Sequence, residues 1–383
     1  MKRVLVVCNE SEYFLRHRLS IVAELVRQGA EVSVMCGGNV ISPEDIEGWA
    51  YVPVTIERFR FNPVGDFLFL MKSLLHLLKL RPDSVLLITL KPAVYSGLAA
   101  VLARLVRCGP KRVIILLPGL GRLMSPNPTL TSGMAAAWRA VTSSVVHLLS
   151  KRRGFTFSFE TEHDRSYWRQ LGLVGQGNSI VIRGAGVDPD VYHPAATAAN
   201  DGKTRILFAS RLIASKGLNL FLGAARHFSG RPDVEFLVAG WVEHNDPDRV
   251  DPKRLEGMKE IHFLGEIPSA ADVLRDCDIV CLPTLYGEGI PRILIEAAAN
   301  GLPAIASDIA GCREIVVDGL TGTLVPVGND VQMLLSLNEA ILAYLESPAL
   351  AKLQGAAALK HFRDGRFEEK AVMLQFMDLL LPD

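Results

Sequence analysis

Short apolar runs alternate along the first half of the chain with segments whose apolar residues recur at helical spacing, the order typical of parallel βαβ units. Strands are predicted for the runs VLVVC (4–8), EVSVMC (31–36), SVLLIT (84–89), VIILLP (113–118) and FTFSF (155–159). Helices are predicted between them over residues 17–29, 67–80, 93–107 and 134–150. The pattern therefore predicts one doubly wound α/β domain.

The same order of elements starts again after a loop rich in Pro, Ala and Asn, which we interpret as a linker over residues 188–203. The strands predicted there are RILFAS, EFLVAG, IHFLG, IVCLP, PAIAS and GTLVP, with helices over 218–228 and 292–299. We predict an α/β chain of two doubly wound, Rossmann-like domains, residues 1–187 and 204–365, facing each other across a cleft. Residues 366–383 contain an amphipathic helix that either returns to the first domain or packs on the second.

The composition is that of a folded protein, since 49% of the 383 residues are hydrophobic and 21% are charged. No stretch reaches the roughly 18 uncharged apolar residues that a membrane span needs. The six cysteines show no Cys-x-x-Cys spacing, and no His, Asp or Glu cluster has the spacing of metal ligands. The N-terminus runs from MKR directly into a strand-like segment. We expect reduced thiols, no bound metal, no signal peptide and a cytoplasmic protein.

The net charge is zero, but the two halves of the chain differ in sign. Residues 1–190 carry 23 basic against 15 acidic side chains, whereas residues 191–383 carry 18 against 26. Residues 58–153 contain 15 basic side chains and two acidic ones. This asymmetry predicts contact with a polyanionic ligand or an anionic membrane surface, unless the basic face is only solvated. The helices at 67–80 and 134–153 either contact such a membrane or pack on the sheet of their own domain.

The segment LYGEGIPRILIEAAANG (285–301) contains two glutamates in a frame that suggests a ligand site. Glu288 lies in a loop after a predicted strand, and Pro291 suits the first position of the next helix, which places Glu296 about a turn and a half inside it. The backbone N–H groups around Gly289, Ile290 and the helix start can bind an anion, and Gly289 allows close approach. Alternatively, both glutamates are ordinary surface acids.

Two cations flank a second strand-to-helix connection, FASRLIASKGLNLF (208–221). Arg211 follows the predicted strand, and Lys216 precedes the helix that begins at Gly217-Leu218. Because the carboxyl ends of parallel strands share one sheet edge, we expect both cations at the same edge as Glu288. Such a group suits a diphosphate. The alternative is that both side chains face water.

These motifs, together with IRGAGVDPDVYHP (182–194) and SDIAGCREIVVDGLTGTLVP (307–326), resemble the family 4 retaining glycosyltransferases of the GT-B fold. The resemblance covers most of the chain. It implies that Arg211 and Lys216 bind the diphosphate of a nucleotide-sugar, that Glu296 holds the ribose and that Glu288 lies beside the transferred sugar. It also places the base of the nucleotide near the backbone of residues 263–265. The resemblance implies no obligatory metal, and it implies no cofactor because the UDP-sugar is a substrate.

The N-terminal half resembles a narrower branch of that family. FLRHRLSI (14–21), ERFRFNP (57–63), ITLKPAVYSGLAA (88–100) and LLPGLGRLMS (116–125) are similar to segments of bacterial enzymes that extend glycans on undecaprenyl-diphosphate, including an N-acetylgalactosaminyltransferase. An acceptor of this kind carries a pyrophosphate and a lipid tail, which fits the basic character of this half.

Acceptor binding is predicted for Arg16, Arg18, Lys91 and Gly119. The three cations follow strand-like segments of the first domain and are expected to open on the cleft opposite the donor. The alternative for Arg16 is a solvated charge without an acceptor role. Gly119 lies in the segment Pro118–Gly121, which stands where many family members have a histidine, and the sequence assigns no role to this loop.

The sequence as a whole predicts a retaining glycosyltransferase that moves an N-acetylhexosamine or related hexose from a UDP-sugar to an undecaprenyl-diphosphate-linked saccharide. It would act on the inner face of the cytoplasmic membrane, as a peripheral protein, without a nucleic-acid partner. Two alternatives stay open: a nucleotide-sugar 2-epimerase of the same fold and a non-catalytic glycan-binding subunit.

Overall fold

A computed structural model describes the chain except for residues 40, 43–45, 58–61, 125–132, 196–201, 243–245, 247, 286 and 383. Parts of the predicted linker and of the motifs ERFRFNP and LLPGLGRLMS lie outside the described residues. The chain divides into two units: unit 1 is Met1–Ala185 with Lys370–Asp383, and unit 2 is Gly186–Glu369. Each unit contains one parallel sheet with helices between its strands. The predicted α/β class with two doubly wound sheets is therefore confirmed.

The first part of unit 1 alternates strands and helices. In chain order the elements are β1 (Arg3–Cys8), α1 (Ser11–His17), α2 (Leu19–Arg27), β2 (Glu31–Cys36), β3 (Trp49–Pro53), α3 (Pro63–Leu80), β4 (Ser84–Ile88), α4 (Leu90–Leu105), β5 (Arg112–Leu117), α5 (Gly121–Met124), α6 (Gly133–Ser150), β6 (Phe155–Phe159), α7 (Glu162–Gln170) and β7 (Ser179–Val181). The described strands pair in the order β3-β2-β1-β4-β5-β6-β7, all parallel.

Unit 2 repeats this alternation, and the chain then returns to unit 1 as one last helix. The elements of unit 2 are β8 (Thr204–Ala209), a 3-10 turn (Ala214–Lys216), α8 (Leu218–His227), β9 (Val234–Ala239), α9 (Lys253–Glu256), β10 (His262–Gly265), α10 (Ala271–Arg275), β11 (Ile279–Leu282), α11 (Arg292–Ala299), β12 (Ala304–Ser307), α12 (Ala310–Arg313), β13 (Gly322–Val325), α13 (Asp330–Glu346) and α14 (Pro348–Asp364). The final helix is α15 (Glu369–Leu380).

The strand order of unit 2 determines where a ligand is expected. The described strands pair in the order β10-β9-β8-β11-β12-β13, so the chain moves outward from β8 and then returns to β11 on its other side. Connections that leave neighbouring strands in opposite directions open a crevice at the carboxyl ends of those strands. The loops that follow β8 and β11 carry Arg211, Lys216 and Glu288.

The core of unit 1 has two layers because successive side chains of a strand point to opposite faces of the sheet. Leu5 and Val7 of β1 pack in one apolar cluster with residues of α3, α4 and α6. Val4 and Val6 pack in the other cluster with residues of α1 and α2. The side chains of α15 belong to this second cluster, in which Val372, Phe376, Met377 and Leu380 are buried.

The helix predicted over residues 17–29 corresponds to α2 (Leu19–Arg27), but the prediction missed the helix that precedes it, α1 (Ser11–His17). The structure has two helices here, α1 and α2, and the break lies at Arg18, whose φ of −137° and ψ of −1° are not helical. The side chain of Arg18 is buried in unit 1, where it contacts a carboxylate on the loop after β6. This tertiary contact accompanies the break, and the local apolar pattern contains no sign of it.

Among the described residues, no helix combines the length and the apolar character that crossing a bilayer requires.

Candidate functional site

The loop between β11 and α11 carries Glu288, and the structure places it as the sequence indicated. Pro291 is extended, with φ −62° and ψ 122°, so it is the N-cap and not the first helical residue, and α11 begins at Arg292. The cap contributes no side-chain hydrogen bond. The first N–H groups of α11 therefore have no side-chain acceptor at this cap, and with the positive end of the helix dipole they suit an anion. Gly289 and Ile290 are buried beside them.

Lys216 and Glu288 form an ion pair between Nζ and Oε2. Their side chains are 9% and 13% exposed. The second carboxylate oxygen of Glu288, Oε1, is buried and has no hydrogen-bond partner among the described residues. Desolvating a carboxylate oxygen without a partner is costly, and functional sites are where such groups are tolerated. One oxygen of Glu288 is thus held by a lysine, while the other has acceptor capacity to spare.

Gly217 fixes the position of Lys216. Its φ of +81° lies in the left-handed region, and a Cβ atom there would lie 1.9 Å from the carbonyl oxygen of Pro283, the residue that follows β11. Only glycine allows this backbone conformation and this close approach. The Lys216 turn is therefore packed directly on the strand end from which the Glu288 loop departs.

Arg211 lies two residues beyond β8. Its Nη1 atom is 3.7 Å from Oδ2 of Asp246, whose side chain is 1% exposed, while the arginine side chain itself is partly accessible. The loop that carries Asp246 also contacts the Lys216 turn, because the backbone N–H of Ser215 donates to Oδ2 of Asp248 at 2.8 Å. Since β8 and β11 are parallel neighbours, Arg211, Lys216 and Glu288 share one edge of the sheet.

Glu296 is buried on α11, where Arg292 holds it and the Tyr192 hydroxyl lies nearby. Nε of Arg292 donates to its Oε1 at 2.8 Å. Burial and the nearby Glu296 carboxylate raise the pKa of Tyr192 to about 12, so this hydroxyl stays protonated near neutral pH. The Tyr192 hydroxyl also lies 3.2 Å from Oγ of Ser269. The sequence prediction missed Tyr192, although it lies within the motif VDPDVYHP that was singled out.

A cavity of about 880 Å³ lies within unit 2, beside the ends of β9 and β10. Its lining includes Gly240, Trp241, Arg249, Phe263 and Gly265. The resemblance placed a nucleotide base near residues 263–265, and the structure shows that this backbone borders a space large enough for one. The wall combines two aromatic side chains with charged groups.

The predicted acceptor residues Arg18 and Lys91 are not open to solvent. Nη2 of Arg18 is 2.5 Å from Oε1 of Glu160, and Nη1 donates to the carbonyl oxygen of Gly184 at 3.2 Å. Nζ of Lys91 is 2.7 Å from Oδ1 of Asp66, and both side chains are under 5% exposed. Each cation is therefore neutralised by a carboxylate within unit 1. The expectation that these side chains face an open site was wrong, and their contact with an acceptor stays a prediction.

The other two predicted acceptor residues occupy more accessible positions. Arg16 lies in the last turn of α1 and is half-buried. Gly119 follows β5 with a φ of +124°, a value that favours glycine. Neither residue is placed against a candidate ligand group by the described contacts, so both assignments also stay predictions.

Comparison with known proteins gives a match over most of unit 2. Residues 193–361 match the family model described as glycosyl transferases group 1. The chain is 32% identical over 216 residues to a phosphatidyl-myo-inositol mannosyltransferase of Mycobacterium tuberculosis, which covers 55% of this chain and 56% of that protein. It is 26% identical over 188 residues to the N,N'-diacetylbacillosaminyl-diphospho-undecaprenol alpha-1,3-N-acetylgalactosaminyltransferase of Campylobacter jejuni, covering 46% and 48% of the two chains. These matches span about half the length of each relative.

The likeness of fold extends over the whole chain. The solved structure of Anabaena HepE in complex with UDP and glucose has a TM-score of 0.75 at 18% identity and covers 99% of both chains. Sequence identity at this level supports only a likeness of fold. The predicted GT-B fold class is confirmed by this likeness and by the two parallel sheets. Arg211, Lys216, Glu288 and Glu296 all lie within residues 193–361, the part of the chain that matches the glycosyl transferases group 1 model.

Proposed function

We propose that this protein is a retaining glycosyltransferase that moves a hexose or N-acetylhexosamine from a UDP-sugar to a lipid-diphosphate-linked saccharide. The observation that carries the proposal is the ion pair of Lys216 and Glu288 beside the start of α11, in a segment that matches a glycosyl transferase family. The pair combines a cation for a leaving diphosphate with a carboxylate for the sugar.

On the donor side, the charges fit a nucleoside diphosphate. Arg211, Lys216 and the first N–H groups of α11 supply positive charge for two phosphates, and this charge stabilises the UDP that departs. Oε1 of Glu288, which has no partner within the described part of the chain, accepts a hydrogen bond from a hydroxyl of the transferred sugar and orients the ring. Glu296, fixed by Arg292, accepts from the ribose hydroxyls, and the cavity beside Phe263 takes the base.

The acceptor part of the proposal draws on the relatives. The names of both curated relatives contain a phosphate-bearing lipid, phosphatidyl-myo-inositol in one and diphospho-undecaprenol in the other. The basic segment 58–153 of unit 1 suits such an acceptor and the anionic membrane surface in which it lies. We therefore propose an undecaprenyl-diphosphate-linked saccharide as acceptor, with the protein on the cytoplasmic membrane face. We also propose that no metal is obligatory.

The test of this function is a donor screen followed by a transfer assay. Thermal shift with UDP-, GDP- and ADP-sugars should show the largest stabilisation with a UDP-sugar, because a ligand stabilises the state that binds it. UDP release should then require a lipid-diphosphate saccharide. UDP-sugar turnover without any acceptor would instead support a 2-epimerase. Binding without UDP release in the presence of lipid-linked acceptors would support a non-catalytic glycan-binding subunit.

Tyr192→Phe should weaken UDP binding about 5-fold, because the hydroxyl beside Glu296 is lost and a typical hydrogen bond contributes about 1 kcal/mol. Titration calorimetry with UDP measures this. Tyr344→Phe is the matched control, since Tyr344 is 1% exposed and its hydroxyl donates to Gln354 elsewhere in unit 2. Equal UDP affinity in the wild type and Tyr192→Phe would separate Tyr192 from the donor site.

Gly311→Ala should lower turnover about 10-fold and destabilise unit 2 by roughly 1–3 kcal/mol. A Cβ atom on Gly311 would lie 1.9 Å from the carbonyl oxygen of Gly289 and 2.6 Å from that of Glu288, so the Glu288 loop must move. Steady-state kinetics and chemical denaturation measure the two effects. Gly230→Ala, where a Cβ atom meets nothing within 4 Å, should change neither. Normal turnover in Gly311→Ala would show that the loop position is not critical.

A further inference from the structure

The helix α3 has two apolar faces, and only one of them is buried. Phe69, Ser73 and Leu77 point into the core of unit 1. A second set of apolar residues recurs at intervals of three and four along the opposite side, and we call it the outward stripe: Val64, Phe67, Leu68, Met71 and Leu75. Val64 is 70% exposed, Phe67 60%, and Leu68 and Leu75 61% each. Such a contiguous row of large apolar side chains on a folded surface marks an interaction site.

Basic residues border the outward stripe. Lys72 and Lys79 lie on α3 beside it and are exposed, and Nζ of Lys72 donates to the carbonyl oxygen of Pro53 at 2.5 Å. The one acidic residue of the helix, Asp66, points the other way and is buried against Lys91 and Tyr95. Glu57, which precedes the helix, is exposed and accepts a hydrogen bond from Asn62. The outward side of α3 therefore presents apolar and positively charged groups and no carboxylate of its own.

The helices beside α3 also expose some large apolar side chains and are followed by basic ones. α3 packs on α4, and α4 packs on α6. Exposed large apolar side chains on or directly after these two helices are Leu102, Leu105, Val106, Val141 and Leu148. Exposed basic side chains follow both helices at Arg107 and at 151–153. Within residues 58–153, moreover, basic residues outnumber acidic ones by 15 to two.

We propose that the outward stripe of α3 inserts into the boundary between headgroups and acyl chains of an anionic lipid bilayer, with Lys72 and Lys79 against the lipid phosphates. The inference rests on the proposed function, in which the acceptor is a membrane lipid. A helix with an apolar face and flanking lysines lies in the plane of the membrane, and each lysine near an anionic surface strengthens binding.

The charges favour a lipid surface over a second copy of this chain. A two-fold symmetric contact would join the outward stripe to itself, and the same lysines of both copies would then approach one another. The helix presents no carboxylate to pair with them, because Asp66 is buried. An anionic bilayer supplies apolar acyl chains and negative phosphates together, which complements both features of the surface.

The experiment measures sedimentation of the full chain with phosphatidylglycerol vesicles and with phosphatidylcholine vesicles, without nucleotide or acceptor. The wild type should bind the anionic vesicles more tightly. Val64→Ser with Leu68→Ser should lower the partition coefficient at least about 10-fold, since about 0.8 kcal/mol is lost per buried CH₂. The matched control is Val331→Ser with Leu335→Ser on α13, where the side chains have the same spacing and are 70% and 58% exposed. The control pair should bind as the wild type does.

The charge contribution is tested by Lys79→Glu, which should weaken binding to anionic vesicles about 5-fold or more at low salt and leave binding to neutral vesicles unchanged.

Equal losses in the two serine pairs, or no loss in either, would overturn the proposal. Sedimentation velocity separates the alternative occupant: a wild-type dimer that Val64→Ser with Leu68→Ser dissociates would assign the stripe to a second copy. UDP binding, measured on the same variants, reports separately on the proposed function and should be unchanged.

Discussion

Glu288→Gln is expected to lower turnover about 100-fold or more while UDP still binds, the loss expected when a group acts mainly in the transition state. Glutamine keeps the shape of the side chain, but it removes the charge that pairs with Lys216 and replaces one of the two acceptor oxygens by an NH₂ donor. Turnover is measured with a UDP-sugar and a lipid-diphosphate saccharide. UDP affinity is measured by calorimetry on the same preparation.

Two further variants serve as a comparison and a control for Glu288→Gln. Glu296→Ala should mainly weaken UDP binding, because Glu296 is held by Arg292 within α11 and is assigned to the ribose. Glu339→Gln, an exposed acid on α13, should change neither quantity. Full activity of Glu288→Gln would show that the catalytic assignment is wrong. A loss of UDP binding equal to the loss of turnover would move Glu288 to donor binding alone.

Lys91→Met is expected to lower the free energy of unfolding by about 3–5 kcal/mol, because it leaves the Asp66 carboxylate buried without its cation. The two side chains are 3% and 4% exposed, and the Tyr95 hydroxyl, which donates to Asp66 at 3.0 Å, cannot replace the charge. Burial and the Asp66 carboxylate raise the pKa of Tyr95 well above its usual range, so this group remains a neutral donor. Chemical denaturation measures the effect.

The double variant Lys91→Met with Asp66→Asn should recover most of that loss, since both charges are then removed and the hydrogen bond from Tyr95 is kept. Lys111→Met, at an exposed position, should alter stability by less than about 0.5 kcal/mol. If Lys91→Met left stability unchanged and instead raised the acceptor's KM, the predicted acceptor role would be supported and a structural role of the pair rejected.

The strands and several helices could be predicted because their signals are local. The run FTFSF coincides with β6, and the segment after Pro291 coincides with α11, since a buried parallel strand is continuously apolar and a helix start carries its own cap. The prediction missed β3, whose residues WAYVP are only partly buried, and α7, whose sequence EHDRSYWRQ is mostly polar. Both elements are specified by their neighbours in the fold.

In the candidate site, too, the positions that follow from local signals could be predicted, and the contacts between residues far apart in sequence could not. Arg211, Lys216 and Glu288 could be placed at one sheet edge, because strand ends follow from the apolar pattern and their order from chain connectivity. The burial of Arg18 could not, since its carboxylate partner Glu160 is 142 residues away in sequence. Nor could the contact of Tyr192 with Glu296, which joins the linker to a helix of unit 2. The local sequence around a cation near a strand end does not distinguish a side chain that binds a ligand from one that pairs with a carboxylate of the protein.

The return of the chain to unit 1 has a consequence for biosynthesis. Val372, Phe376, Met377 and Leu380 are part of one of the two core layers of unit 1, whose residues outside Lys370–Asp383 all precede Gly186. During translation unit 1 therefore lacks α15, and an apolar groove stays open along its sheet, until the ribosome has synthesised the whole of unit 2. Unit 2 is the first that can finish folding. A nascent chain stalled near residue 365 would expose that groove, and it is the state in which this protein would most need a chaperone.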